Sequence, residues 1–351
     1  MRAARALSIA AAACAALLIA AVPNASAKES RWERYKNGFI TVDGRTIDYG
    51  QGHISHSEGQ GYAMFLAVAN NDKKTFETLW KWTQDNLMVR EDNLFAWEWG
   101  RREDGTWSVI DKNNATDGDI MIAYALIRAS AKWKTPEYLD SAKKIIADIR
   151  KLLVYERHGR TFLLPSVFGF VKDGSVMLNP SYAILPAYRA FSKVDNKKFW
   201  EKVFKDSRVI MREICFGSMC LPADWVETKN GSMGAAFDRS VFFGADAVRV
   251  ILYAAAADVS AMPEGADKML RFYSNNGYIP LSVDLKNDFL SLTPAPGGYY
   301  AVYALAALKK GDGTLYLKLK KEADKKLEAE KDDYYSLSLH LLAEAFEKNE
   351  K

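Results

Sequence analysis

Hydrophobic residues recur with helical spacing along almost the whole chain. The pattern predicts twelve helices, near residues 30–38, 57–70, 73–87, 117–132, 136–152, 179–193, 197–214, 240–257, 264–276, 296–309, 314–328 and 333–348. The last helix shows the spacing on one face, with apolar side chains at Tyr335, Leu337, Leu341, Leu342 and Phe346. Twelve helices in consecutive pairs predict an all-α toroid of six helical hairpins.

Several connections between the predicted helices have strand-like or turn-like patterns and are rich in aromatic residues. They include residues 94–99, 106–110 and 221–226. In a toroid of hairpins the loops at one end line a groove, and loops held on a rigid scaffold commonly carry binding residues. We therefore expect a groove, with short β segments in its walls, at one end of the toroid.

The first 27 residues have the order of a secretory signal peptide. Arg2 and Arg5 precede an apolar run that ends in Ala25-Ser26-Ala27, a typical signal-peptidase site. A membrane anchor is the alternative, but the run is short for a membrane span. We expect cleavage after Ala27 and a periplasmic or secreted protein. No linker-like tract divides residues 28–351, which predicts a single domain.

Charge and cysteine content add two smaller points. Removal of the two leader arginines lowers the formal charge from +4 to about +2, which indicates neither nucleic acid nor an anionic membrane as a partner. A neutral substrate fits this balance better than a polyanion. Cys215 and Cys220 either form a disulfide that closes a small loop or remain two free thiols.

Glu58 stands at the predicted start of an apolar helix. It follows Ser57 in Ser-Glu-Gly-Gln, a capping-box pattern in which Ser57 caps the helix and Gln60 reaches back. An acid in the first turn is also stabilised by the helix dipole. Glu58 is therefore as compatible with a structural role as with a catalytic one.

Two further helix starts carry acids. Asp117 and Asp119 flank a glycine, and Thr116 with Asp119 forms a second capping-box pattern. Capping accounts for one of these two acids and leaves the other free to face a groove. Asp246 is followed one turn later by Arg249, so an i, i+3 ion pair is the structural alternative for Asp246.

A series of short motifs follows in order between residues 31 and 250. The motifs are Ser57-Glu58-Gly59-Gln60, Trp82-Thr83-Gln84, Trp97-Glu98-Trp99-Gly100, Ala115-Thr116-Asp117-Gly118-Asp119 continuing to Trp133, Asn179-Pro180-Ser181-Tyr182, Asp224-Trp225-Val226 and Asp246-Ala247-Val248-Arg249. In this order they resemble glycoside hydrolase family 8, especially the bacterial endoglucanases that accompany cellulose synthesis. The chain beyond residue 260 matches that family more loosely.

The resemblance implies an (α/α)6 barrel and hydrolysis with inversion at the anomeric carbon. By position, Glu58 corresponds to the general acid and Asp246 to the general base. Asp117 corresponds to an aspartate that some accounts describe as a nucleophile, and that in an inverting mechanism would bind and distort the sugar. Members with that base often carry Tyr before it, whereas this chain has Ala245.

Inverting hydrolysis needs a protonated carboxyl group beside the leaving oxygen and an ionised one across the ring that holds water. A helix N-terminus lowers the pKa of Glu58, which is the wrong direction for an acid. We expect a neighbouring carboxylate such as Asp117 to oppose that effect by like-charge coupling.

Four aromatic side chains are candidates for stacking on sugar rings, namely Trp97, Trp99, Tyr182 and Trp225. The apolar C–H face of a pyranose suits a flat ring, but core packing is the ordinary role of aromatic residues. About half of the four are expected to belong to the core. Asp119 and Arg249 complete the predicted substrate-binding set.

The sequence thus predicts inverting endo-hydrolysis of β-1,4-glycosidic bonds, with cellulose or another β-glucan as substrate. Chitosanase, xylanase and mixed-linkage glucanase activity are alternatives, as is a catalytically silent glycan-binding component of a cellulose-export system. Chitosan is cationic and favours an acidic cleft, which the slightly positive charge does not indicate.

We expect a monomer without cofactor or metal. The sequence has no His-Glu-x-x-His, no Gly-x-Ser-x-Gly and no Gly-rich phosphate loop. His53 and His56 are three residues apart, without further ligands in the pattern. No membrane contact is expected after signal cleavage, and association with a cellulose synthase system is left open.

Overall fold

The computed structural model describes residues 29–172, 174–229, 232–330 and 332–348, so the predicted signal peptide lies outside the described residues. Within these ranges the chain forms twelve α-helices: α1 Arg31–Phe39, α2 Ser57–Ala69, α3 Lys73–Leu87, α4 Thr116–Trp133, α5 Pro136–Leu152, α6 Leu185–Phe191, α7 Lys197–Glu213, α8 Val248–Ala257, α9 Glu264–Asn276, α10 Gly297–Lys309, α11 Gly313–Ala329 and α12 Tyr334–Lys348. Ten of them lie within one residue of the predicted bounds.

The even-numbered helices form an inner ring. Each contacts the next, and α12 contacts α2, which closes the ring. The odd-numbered helices pack outside it, each against an inner partner. The difference follows from sequence, because α2 and α10 are apolar on nearly every side whereas α7 has a single apolar stripe. This is the expected (α/α)6 barrel.

Two helices begin later than predicted. The expected helix at 179–193 starts at Leu185, because Asn179 caps a short 3-10 turn over Pro180–Tyr182 instead. The expected helix at 240–257 starts at Val248. The backbone just before Val248 forms a turn instead. The N–H groups of Gly244 and Ala247 in this turn both donate to the carboxylate of Asp224.

Twelve short strands form four small antiparallel sheets. They are β1 Ser55–His56, β2 Glu98–Arg101, β3 Trp107–Asp111, β4 Val154–Arg157, β5 Arg160–Leu163, β6 Val171–Lys172, β7 Ser175–Leu178, β8 Val226–Lys229, β9 Ser232–Ala235, β10 Phe242–Phe243, β11 Val283–Asp284 and β12 Phe289–Leu290. The sheets have the orders β1-β2-β3, β4-β5, β6-β7-β8-β9 and β10-β11-β12.

Every one of these strands lies in a connection that leads from an outer helix into an inner helix. The opposite connections are short, such as residues 134–135 between α4 and α5 and residues 310–312 between α10 and α11. The sheets therefore gather at the end of the barrel where the inner helices begin. As expected, this end carries the groove.

Cys215 and Cys220 form a disulfide that closes the loop after α7. The sequence left this pairing open, and the structure decides it. Among the described residues no helix is both long and apolar enough to cross a membrane.

Candidate active site

The starts of α2 and α4 lie against each other at the groove. Gly118, in the first turn of α4, faces the backbone of α2 so closely that a Cβ atom there would stand 2.3 Å from Ser57 Oγ and 2.8 Å from Glu58 N. Only a glycine allows this approach without a shift of one helix. The glycine between the two acids of α4 therefore brings the carboxyl group of Asp117 next to that of Glu58.

Both predicted capping boxes are wrong. His56, not Ser57, caps α2 by accepting a hydrogen bond at Nδ1 from Gly59 N (2.9 Å). Gln60 turns away from the helix start, and its Oε1 accepts from Thr46 N (2.7 Å). Long-range partners have taken the side chains that the local pattern assigned to capping.

At α4 the N-cap residue Ala115 offers no side-chain cap. Thr116 Oγ1 donates instead to the Leu164 carbonyl (2.6 Å). Asp119 likewise bonds outside its own helix. The second box fails for the same reason as the first.

Arg249 connects the three catalytic candidates. It lies in the first turn of α8, and its side chain is only 3% exposed. Nη1 donates to Glu58 and lies 3.6 Å from Asp117 Oδ2, while Nη2 donates to Asp246 Oδ1 at 2.6 Å. The predicted ion pair between Asp246 and Arg249 exists, but as one part of a four-residue charge cluster.

The cluster lies at the bottom of a cleft of about 980 Å³ that is open to solvent. The carboxyl groups of Glu58, Asp117 and Asp246 line it. Asp117 Oδ2 has no hydrogen-bond partner within the described part of the chain. Asp246 is one third exposed (33%), and its Oδ2 accepts from Asn179 Nδ2 at 3.0 Å. The cleft therefore offers two carboxyl groups on one wall and a third, more accessible one beside them.

Glu58 and Asp117 have opposite pKa shifts. Burial by itself raises the pKa of Glu58, but the adjacent Arg249 guanidinium outweighs it and brings this pKa to about 2. Burial and then the charge of Glu58 raise the pKa of Asp117 well above its ordinary value. Because the two carboxyl groups interact closely and like charges repel, ionisation of both at once is unfavourable.

Two further carboxyl groups, those of Asp246 and Asp224, have raised pKa values. Burial raises the pKa of Asp246, partly offset by Arg249. Burial and the charge of Asp246 raise the pKa of Asp224 to about 6. Sequence reasoning did not single out Asp224, although it begins one of the motifs. Its hydrogen bonds to Gly244 N (3.0 Å) and Ala247 N (2.9 Å) shape the turn that presents Asp246.

Trp97 and Tyr182, two of the four predicted sugar-stacking residues, line the cleft. Trp97 is half-buried and its Nε1 donates to Asp111 Oδ2 (2.8 Å). Tyr182 is also half-buried. Their exposure leaves apolar ring surface available in the cleft, and stacking on sugar remains a prediction for both.

The other two aromatic residues, Trp99 and Trp225, are not among those lining the cleft. Trp99 stacks on Trp107 with ring centroids 5.4 Å apart, and the Arg45 guanidinium lies 4.6 Å from its centroid. Trp99 therefore packs against its neighbours, and its sugar contact remains a prediction. Trp225 stacks against Phe170, its centroid lies 4.0 Å from Arg239, and it reaches the cleft only through an edge contact with Tyr182.

Asp119 is not among the residues that line the cleft, and its contact with substrate remains a prediction. Its side chain is fully buried, and it accepts from Phe95 N (2.9 Å) and from Asn114 Nδ2 (2.8 Å). Residues one and three positions into a helix point to different sides. Asp117 therefore faces the groove while Asp119 faces the connection behind it.

Three cleft residues were missed by sequence reasoning: Asp48, His56 and Tyr335. His56 Nε2 lies 3.5 Å from Asp48 Oδ2. Tyr335, on α12, donates its hydroxyl to the Ala245 carbonyl (2.5 Å). The family resemblance led us to expect Tyr at position 245. Here a tyrosine from another helix contacts the turn at that position instead. No local signal in the sequence indicates that contact.

Carboxyl groups that flank a cleft, one retaining a proton and another accessible to water, are the arrangement of a glycoside hydrolase, which acts on a sugar from both sides. The chain belongs to the glycosyl hydrolases family 8, whose model matches residues 7–349. The family resemblance is thereby confirmed.

Several known proteins are similar to this chain. An endoglucanase of Cellulomonas uda is 40% identical over 233 residues, which cover 66% of this chain and 64% of that protein, just under two thirds of its length. A probable endoglucanase of Novacetimonas hansenii is 36% identical and is matched over 80% of this chain and 82% of its own.

Among solved structures, an endo-β-1,4-glucanase of the same family from an Achatina fulica gut metagenomic library superposes with a TM-score of 0.81. It is 34% identical, and the match covers 94% of this chain and all (100%) of that structure.

Proposed function

We propose that this protein is an endo-β-1,4-glucanase that hydrolyses cellulose or a related β-glucan with inversion at the anomeric carbon. The observation that carries the proposal is the cluster around Arg249, which holds Glu58 and Asp246 on two different nitrogens of one guanidinium. Both carboxyl groups line the same cleft, so a sugar chain bound there can contact both of them. The names of the similar proteins support the choice of substrate.

Glu58 serves as the general acid. Its proton comes from the pair that it forms with Asp117, because two carboxylates this close do not both ionise readily. A sugar hydroxyl that donates to Asp117 favours the ionised form of Asp117 and moves the shared proton to Glu58. Glu58 then protonates the glycosidic oxygen as the bond to the anomeric carbon breaks.

Asp246 serves as the general base. It is the most accessible of the three carboxyl groups, so a water molecule can reach it from the open side of the cleft. The water oxygen bonds to the anomeric carbon, and its proton passes to Asp246. For inversion we expect a separation of roughly 6.5 to 9.5 Å between the two catalytic carboxyl groups, which leaves room for that water.

We also propose that residues 1–27 are removed during export and that the mature chain acts as a periplasmic or secreted monomer. The order of charged, apolar and small residues at the N-terminus supports export. Association with a cellulose synthase system is compatible with these features, and no observation favours it over independent action.

Activity is tested on a panel of carboxymethylcellulose, mixed-linkage glucan, xylan and chitosan. We expect reducing ends to appear fastest from carboxymethylcellulose or mixed-linkage glucan, with a rapid fall in viscosity. NMR of freshly cleaved β-glucan oligosaccharides is expected to show the α-anomer first. Initial appearance of the β-anomer would show retention and remove Asp246 as the base.

Glu58→Gln is the matched inactive control, since it keeps the shape and removes the proton. We expect at least about a hundredfold loss in rate with normal folding. Wild-type protein that binds β-glucan but releases no reducing ends would instead indicate a glycan-binding component.

A further inference from the structure

A buried polar pair lies behind the two acids, on the side away from the cleft. Asp119 and Asn114 are both buried, at 0% and 2% exposure. Asp119 Oδ1 accepts from Phe95 N, and its Oδ2 accepts from Asn114 Nδ2. Asn114 Oδ1 in turn accepts from Ser166 Oγ (3.1 Å) and from Val167 N (2.9 Å). Two side chains thus join two parts of the α3–α4 connection to each other and to the α5–α6 connection.

One of these connections leads to Glu58. Two residues after Phe95, the Trp97 backbone donates from its N–H to the Asn113 carbonyl (2.8 Å), and its own carbonyl accepts from Ser57 N (3.0 Å). Ser57 is the first residue of α2 and precedes Glu58. Phe95 therefore helps to position Trp97, which lines the cleft. The hydrogen bond from Ser57 N to the Trp97 carbonyl in turn holds the helix start that carries the general acid.

The segments around Asn114 and Pro165 lead to Asp117. Asn114 lies two residues before α4, and Thr116 N donates to the Pro165 carbonyl (2.9 Å) next to the segment that Asn114 holds. Asp117 follows at once. The same buried pair thus fixes the approach to α4 as well as the approach to α2.

We propose that the Asp119–Asn114 pair is a positioning device that fixes Glu58 and Asp117 relative to each other across the helix contact at Gly118. The inference rests on the proposed function, because it assigns the pair a role in that reaction. Neither residue touches the cleft. Both act through the segments that they hold.

Hydrogen-bond polarity explains why the carboxyl group stands at position 119 and the amide at position 114. Both groups that face Asp119 are donors, so position 119 needs an acceptor on each oxygen, which a carboxylate supplies. In Asp119→Asn an NH2 group meets the NH2 group of Asn114. In Asn114→Asp two buried carboxyl groups meet. When both changes are combined, the new amide donates to the new carboxylate, which still accepts from Ser166 and Val167.

The test is a double-mutant cycle of wild type, Asp119→Asn, Asn114→Asp and the combined exchange. For each protein kcat and KM on carboxymethylcellulose and the melting temperature are measured. We expect each single variant to lose at least tenfold in kcat while KM changes less than threefold. The exchange should recover most of kcat, because every hydrogen bond has a partner of the right polarity again.

Asp195→Asn is the matched control. Asp195 also accepts buried and half-buried donors, from Trp200 Nε1 (2.8 Å) and Arg150 Nε (3.1 Å), but it lies in the short connection between α6 and α7, at the other end of the barrel. We expect this variant to melt earlier with kcat unchanged below its melting range. If position 119 had a purely structural role, the Asp119→Asn variant would likewise melt earlier and keep its kcat.

Single variants that stay folded with wild-type kcat overturn the proposal. So does a combined exchange that melts like the wild type but remains as slow as the single variants. If the single variants do not fold, the kcat of the combined exchange is compared with that of the wild type. A wild-type kcat supports the proposal, and a folded exchange that stays at least tenfold slower overturns it. Wild-type protein without turnover on any β-glucan would instead remove the proposed function, and this role with it.

Discussion

At the scale of the residue, the site depends on one positive charge that faces three carboxyl groups. Arg249 lies within hydrogen-bond or ion-pair distance of Glu58, Asp117 and Asp246, and it is almost completely buried. A single guanidinium does not neutralise three buried carboxylates, so the cluster keeps a proton. This explains how an acid can persist at a helix N-terminus, where the dipole by itself favours ionisation.

The first prediction concerns Asp117→Asn. The variant removes the carboxyl group whose pKa is raised, and leaves Glu58 alone beside Arg249, which lowers the pKa of Glu58. Glu58 then has no neighbouring carboxyl group from which a proton can reach it. We expect kcat/KM at pH 7 to fall by about a hundredfold or more, and the alkaline limb of the pH–rate profile to move to lower pH.

The measurement is kcat/KM across the pH range in which the variant stays folded. Glu58→Gln serves as the comparison and should be inactive at every pH, because it has no proton to give. An Asp117→Asn profile with the wild-type shape would mean that Asp117 only binds sugar and takes no part in holding the proton.

At the scale of the element, the inner helices are placed by close contacts between their backbones. A Cβ atom at Gly61 of α2 would lie 2.7 Å from Met121 Cβ of α4, and the contact at Gly118 is closer still. The two helices therefore approach closely along their first two turns, at one glycine of each helix. This contact, rather than any cap, sets the distance between the two acids.

Gly118→Ala tests that account. The added methyl group has no space between Ser57 Oγ and Glu58 N, so the helix starts must separate. We expect a loss of roughly 1–3 kcal/mol in the free energy of unfolding. We also expect kcat to fall by as much as about a hundredfold, since a displacement near 1 Å misaligns the reacting groups.

Gly38→Ala is the control for Gly118→Ala. Gly38 is also helical, in α1, and nothing lies within 4 Å of a Cβ atom built there. Alanine should stabilise that helix by about 0.5 kcal/mol and leave kcat unchanged. Urea unfolding and carboxymethylcellulose assays on both variants provide the comparison. Equal effects at the two positions would contradict the close-contact account.

At the scale of the whole molecule, all twelve strands and the cleft lie on one end of the barrel, while the other end has short connections. The arrangement separates the ring of helices, which provides stability, from the connections, which provide chemistry. The disulfide between Cys215 and Cys220 fits an oxidising compartment. It agrees with export of the protein.

Export leads to the last prediction. We expect the protein recovered from the periplasm or the medium to begin at Lys28, because the charged, apolar and small-residue segments of residues 1–27 occur in signal-peptide order. Intact-mass analysis measures this directly. A mass that still includes those residues would contradict cleavage and favour the anchor reading of the N-terminus.

The sequence by itself determined the helices, their pairing into a toroid and the acids at the helix starts. Helical periodicity is a local signal, because the side chains that reveal it are three or four residues apart. Ten of the twelve helix bounds followed from it. The motifs also identified the family, since their order along the chain is visible without any knowledge of contacts.

Tertiary structure decided what each polar side chain does. Arg249 meets Glu58 across 191 positions of sequence, and Asp119 meets Phe95 across 24. The predicted capping boxes failed because partners from other segments bond the side chains that the local pattern assigned to capping. A hydrogen bond satisfies a buried group equally well from any part of the chain, so only the folded structure shows which partner it finds.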